Sequence, residues 1–147
     1  GEIIASLISQ VNNQITVLES SFSNSLLRRE LRELKQFLSD DPIRVQPVNV
    51  GSRALVESMA KNLCEAFGIR TEDKRLEALI EKLKSKLSPW IISYMDSIRL
   101  IGNSSAHSAE LHKNRVPQNI EKGDLLAVLG ALTNLLSLWI NIRNEDR

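Results

Sequence analysis

Apolar side chains recur every three or four residues along most of the chain, the signature of helices that each bury one face. Over residues 2–22, Ile4, Ile8, Val11, Ile15, Leu18 and Phe22 step by four and three, which predicts an amphipathic helix packing on a neighbour at a shallow angle. The cluster from Ser20 to Ser25 then supplies turn and N-cap side chains. Beyond it Leu27, Leu31, Leu34 and Leu38 repeat the spacing on a second helix, with Arg29 and Glu33 set as an i,i+4 pair. Two such helices joined by a short turn should fold back as an antiparallel hairpin whose seam serves packing within the domain.

The segment Asp40–Pro47 carries two prolines and predicts an extended linker, because each ring biases the preceding residue away from helix. From about Pro47 to Phe67 a helical face returns through Val48, Leu55, Met59, Leu63 and Phe67, and Gly68 is placed to cap it. Thr71 predicts the start of a charged helix over Glu72–Leu87, with Leu76, Leu79, Ile80, Leu83 and Leu87 buried and Lys82, Lys84 and Lys86 on its solvated side. Ser88-Pro89 reads as an N-cap hydroxyl followed by proline at the first helical position, opening a helix that should turn Trp90, Ile91, Tyr94, Met95 and Ile98 inward. Residues 108–122, with Pro117, read as irregular, and a last helix should begin near Gly123 or Asp124. No strand alternation and no internal repeat interrupts the pattern. The expectation is an all-α bundle: a helical hairpin and linker over residues 1–46, packed on a four-helix core over 47–147 to make one structural unit.

Composition agrees with this pattern. A chain of 147 residues is long enough for one core without disulfide or metal staples, and with six Gly and four Pro there is little to break long helices. Basic and acidic groups number five and six over residues 1–46, nine and seven over 47–107, and five and five over 108–147, so no segment attracts nucleic acid by its field alone. The single cysteine, Cys64, sits among Met59, Ala60, Leu63 and Phe67 and reads as a small buried hydrophobe. That usage is compatible with a reducing compartment, and the expected location is cytoplasmic. The opening Gly1-Glu2, with no initiator methionine and no signal-peptide pattern after it, suits a piece of a larger protein or a residual tag. One stretch, Leu125–Ile142, runs 18 residues without a charge, near the lower limit for a bilayer span. Gly123 just before it and Ala127, Gly130, Asn134, Ser137 and Asn141 within it fall in one sector at 100° per residue, so the expected form is a buried central helix with one small, weakly polar stripe rather than a membrane span.

Candidate chemistry gathers in Arg99-Leu-Ile-Gly-Asn-Ser-Ser-Ala-His107. On a continuous helix Asp96, Arg99, Asn103 and His107 share a face at steps of three, four and four, joining a cation, an amide and a titratable imidazole. Gly102 beside them carries no side chain, so a phosphate or a facing helix can approach the backbone. The residues alone admit two readings. In one, Asp96 pairs with Arg99, Asn103 bonds locally and His107 caps the helix; in the other, the face binds or acts on a ligand. Other chemistries lack residues: His107 and His112 are the only histidines, with no metal-ligand cluster around them, and no glycine-rich phosphate loop or nucleophile elbow is present. The six aromatics lie mostly at expected core positions and form no base-stacking platform.

The order Ser52–Leu63 (SRALVESMAKNL), then LEALIEKL, then IRLIGNSSAH, then a leucine-rich helix resembles an uncharacterised helical branch of the HEPN (higher eukaryote and prokaryote nucleotide-binding) superfamily, over roughly residues 50–142. Its most specific element is the Arg99, Gly102, Asn103, Ala106, His107 pattern, with Arg53 and Glu57 in support. Residues 1–46 carry no such likeness. The resemblance implies an all-helical, often dimeric bundle with the Arg and His motif at the dimer cleft, fused to bacterial restriction or defence proteins. In HEPN ribonucleases that motif cleaves RNA without metal. Carried over, His107 would be general base or acid, Arg99 would stabilise charge on the phosphate, and Asn103 would orient the imidazole or bind substrate. The nuclease pattern has a shorter interval and a polar residue directly after the arginine. Here seven residues intervene between Arg99 and His107, and Leu100 follows Arg99. The expected function is therefore a noncatalytic accessory domain mediating dimerisation and nucleic-acid or nucleotide contact, with a metal-independent endoribonuclease as the alternative. The expected partners are a second copy of the chain, RNA or a nucleotide, and other domains of a longer parent, with no cofactor and no metal.

Overall fold

A computed structural model describes residues 2–22, 25–72, 75–106 and 120–145. It is all-α. The helices are α1 (Glu2–Ser21), α2 (Ser25–Leu38), α3 (Val45–Ala66), α4 (Leu76–Leu83), α5 (Pro89–Ala106) and α6 (Ile120–Glu145), and no strand occurs among the described residues.

The first two helices form where the leucine and isoleucine seams place them. Val11, Ile15 and Leu18 of α1, and Leu27, Leu31, Leu34 and Leu38 of α2, are buried. Each leans on the core more than on its hairpin partner: α1 packs chiefly along α6, and α2 along α3. Polar groups fix both seams. Gln14 Nε2 donates to the Thr133 carbonyl and to Ser137 Oγ, each at 2.8 Å, and Ser58 Oγ donates to Glu30 across α3 and α2. Arg143 closes the end of α1, donating to the Ser21 carbonyl at 2.7 Å with its guanidinium 4.3 Å from the Phe22 ring.

Three helix boundaries and one side chain differ from expectation. First, α3 begins at Val45, so Pro47 lies inside its first turn instead of ending the linker. A proline is accommodated there because the first N–H groups of a helix have no intrahelical acceptor. Second, α4 is confined to Leu76–Leu83 instead of Glu72–Leu87. Glu72, Asp73, Lys74 and Arg75 give a preceding turn no apolar face, and short helices are held by packing more than by propensity. Leu87 still packs partly against the core, and Lys82, Lys84 and Lys86 are exposed as expected. Third, α6 begins at Ile120, ahead of Gly123. Finally, Trp90 is 64% exposed. The buried face of α5 is set by Ile91, Ile92, Met95 and Ile98, and Trp90 falls a full residue step before it, in the first turn.

The end of α3 follows the expected signal closely. Gly68 adopts φ +72°, the Gly68 N–H donates to the Glu65 carbonyl at 3.1 Å, and the Ile69 N–H reaches back to the Cys64 carbonyl at 2.7 Å. These are the two bonds of a Schellman cap. Cys64 itself is fully buried.

Helix α6 packs against α1, α3 and α5. It buries Leu125, Val128, Leu129, Leu132, Leu135, Leu136 and Trp139, and the Trp139 indole N–H donates to Asn62 Oδ1 at 3.1 Å. By length and composition Glu121–Asn144 could cross a bilayer, and half of its most apolar window lies inside the fold. The small stripe faces outward: Gly123, Ala127, Asn134, Ser137 and Asn141 are exposed and Gly130 is half-buried.

Candidate functional site: the seam between α3 and α5

Helix α5 lies tight against α3 at Gly102. A Cβ there would lie 2.6 Å from Arg53 Cβ, 3.0 Å from Arg53 Cδ and 3.1 Å from the Asn49 carbonyl oxygen. Real Cβ atoms essentially never come as close as 2.6 Å, so glycine permits this packing by having no side chain. The aliphatic stem of Arg53 lies across the backbone of α5, with the last turns of α5 against the first turns of α3. Arg53 and Gly102, both singled out in the sequence, therefore meet.

The charges along the seam are held unevenly. Arg99 Nε donates to Asp96 Oδ1 at 2.9 Å, and the Arg99 side chain is 17% exposed against 42% for Asp96. Arg53 Nη1 stands 3.6 Å from Glu57 Oε2, within ion-pair range but beyond hydrogen-bond length, and the two side chains are 29% and 26% exposed. The Arg53 Nε is buried with no hydrogen-bond partner among the described residues. One guanidinium is thus anchored and the other is under-satisfied. Asn103, the next residue of the stripe, is exposed beside Gly102. His107 lies outside the described residues, as does the side chain of Ala106.

Two buried polar residues on α3 escaped the sequence reading. Asn49 and Ser52 are fully buried around Arg53, and Ser52 Oγ has no hydrogen-bond partner among the described residues. The only signal for them was a pair of polar residues at positions that the helical spacing assigns to the core. On α2, against α3, burial raises the Glu30 carboxyl above the ordinary carboxylate range; the bond from Ser58 and the charge of Arg29 act against this, and Glu33 and Glu57 add to it.

Two surface depressions lie elsewhere. One of about 250 Å³ is lined by Glu19, Arg32, Lys35, Gln36 and Ser39, and one of about 190 Å³ by Leu26, Leu27, Ser58, Lys61, Asn62 and Glu65. Among the described residues no three His, Cys, Asp or Glu side chains gather as metal ligands do.

No curated protein and no solved structure matches this chain. A family model described as a domain of unknown function (DUF4145) matches residues 32–146, from within α2 to the end of α6. That span includes every residue of the α3–α5 seam and most of the sequence, and the chain belongs to the DUF4145 family.

Proposed function

We propose that this chain is a noncatalytic, HEPN-like accessory module of a cytoplasmic bacterial defence or restriction-type protein. In this reading it pairs with a second copy of itself and contacts nucleic acid or a nucleotide through Asp96, Arg99, Asn103 and His107. The observation that carries the reading is the state of Arg99: its side chain is largely covered and its Nε is held by Asp96 at 2.9 Å. A cation anchored in this way is positioned to meet a phosphate group before it arrives. The noncatalytic part of the reading follows from the seven residues between Arg99 and His107 and from Leu100 directly after Arg99. Further support comes from Asn103, which is exposed next to the packed glycine and so leaves an amide at the surface beside the Arg53 stem.

The test is RNA incubation with the purified chain in EDTA, alongside Arg99→Ala and His107→Ala. The expected result is no cleavage by the parent chain, RNA or nucleotide binding that Arg99→Ala weakens, and a dimer in solution. Cleavage to 2′,3′-cyclic ends that both substitutions abolish without unfolding would replace this reading with the ribonuclease one.

A further inference from the structure

We infer that Arg53 is a phosphate-binding residue held in reserve by Glu57, so that the α3–α5 seam exchanges an internal carboxylate for the phosphate group of a ligand. This deepens the proposed nucleic-acid or nucleotide contact and rests on it. A guanidinium carries five N–H donors in a planar fork and keeps its charge at any ordinary pH. The Arg53 Nε is buried without an acceptor among the described residues, and Nη1 stands 3.6 Å from Glu57 Oε2, beyond hydrogen-bond length. A partly buried donor group left in this condition is costly, and a fork-shaped acceptor relieves the cost.

Three features favour phosphate as that acceptor. The stem of Arg53 is pinned across Gly102, so the head is positioned before any ligand arrives. The Arg53 side chain retains 29% exposure, which leaves its outer nitrogens within reach of solvent. Arg99 lies three residues before Gly102, about one turn away on α5, and exposed Asn103 adds an amide next to the glycine. Two arginines and an amide suit a group with several equivalent oxygens and more than one negative charge. Glu57, i+4 from Arg53 on α3, supplies a single carboxylate at a distance too long for a hydrogen bond, and a phosphate oxygen displaces it by making the short charge-assisted bond that it does not.

The test measures binding of inorganic phosphate, a 5′-mononucleotide and a short single-stranded RNA to the whole chain, and to Arg53→Gln, Glu57→Gln and Arg99→Ala, with thermal melting of each. Arg53→Gln keeps the stem over Gly102 and is expected to weaken binding about tenfold, the value of one charge-assisted hydrogen bond. Glu57→Gln removes the competitor and is expected to tighten binding several-fold. Mononucleotide that competes with RNA marks a terminal phosphate as the source, RNA bound without such competition marks the phosphodiester backbone, and either outcome supports the inference when the two substitutions act in opposite directions. If Arg99→Ala abolishes binding while Arg53→Gln and Glu57→Gln leave it unchanged, the inference fails and the proposed function stands. If the parent chain binds none of the probes, both fail. Should Arg53→Gln melt far below the parent, Glu57→Gln decides alone: tighter binding sustains the inference, and unchanged or weaker binding overturns it.

Discussion

Gly102 shows how one missing side chain sets the contact between two helices. An alanine there would place its Cβ 2.6 Å from Arg53 Cβ, an atom fixed to the α3 backbone, so the helices must separate. We expect Gly102→Ala to destabilise the protein by about 1–3 kcal/mol, the usual cost of overpacking, and to disturb the Arg53–Glu57 pair; urea denaturation of parent and variant checks it. Glu30 gives a prediction with a sign in pH. Burial is the main cause of its raised carboxyl, so the folded state favours the protonated form. Stability from this group is fully present below the unfolded pKa and falls as pH rises through the folded one. Glu30→Gln keeps a hydrogen-bond acceptor for Ser58 without the charge. Its stability relative to the parent should therefore rise from acid toward neutral pH, as followed by melting at several pH values. The pairing of Arg99 with Asp96 was readable in the sequence because i,i+3 neighbours on one helix meet wherever that helix packs. The seat of Arg53 over Gly102 was not, since it depends on where two helices, far apart in sequence, come to pack.

Among the elements, α1, α2 and α5 were legible because an apolar residue at every third or fourth position has only one backbone that buries all of them together. The start of α4 was misread for the opposite reason. Thr71 offers a good cap, but Glu72 and Arg75 are exposed and have no apolar face to bury, and capping alone does not hold a turn. The last turn of α3 was read from one glycine. In the left-handed region at φ +72°, a side chain meets its own backbone. Gly68→Ala should cost roughly 1–2 kcal/mol and speed amide exchange at Gly68 and Ile69, whose N–H groups make the two capping bonds. Nothing else lies near a Cβ at this position, so a loss of this size would be a backbone effect and not a packing one.

For the whole molecule, the family match and the core do not share a boundary. The match begins at residue 32, yet the buried cluster includes Val11, Ile15, Leu18, Phe22 and Leu27. Removing residues 1–31 would uncover the side of α6 that α1 protects, and burying the four apolar side chains from Val11 to Phe22 contributes about 6–12 kcal/mol at 1.5–3 kcal/mol each. That equals the net stability of an ordinary domain of about 5–15 kcal/mol, so a chain starting at residue 32 is expected to aggregate or to lose its cooperative melt. The two tryptophans, finally, see opposite environments. Trp139 is sealed in the core beside Phe22 and bonded to Asn62, whereas Trp90 is exposed on the opening turn of α5. The molecule thus carries two built-in optical reporters. With Trp90 replaced by phenylalanine, the remaining emission follows the core alone through unfolding. With Trp139 replaced instead, a blue shift on raising protein concentration would report a second copy settling over the start of α5, without any label attached.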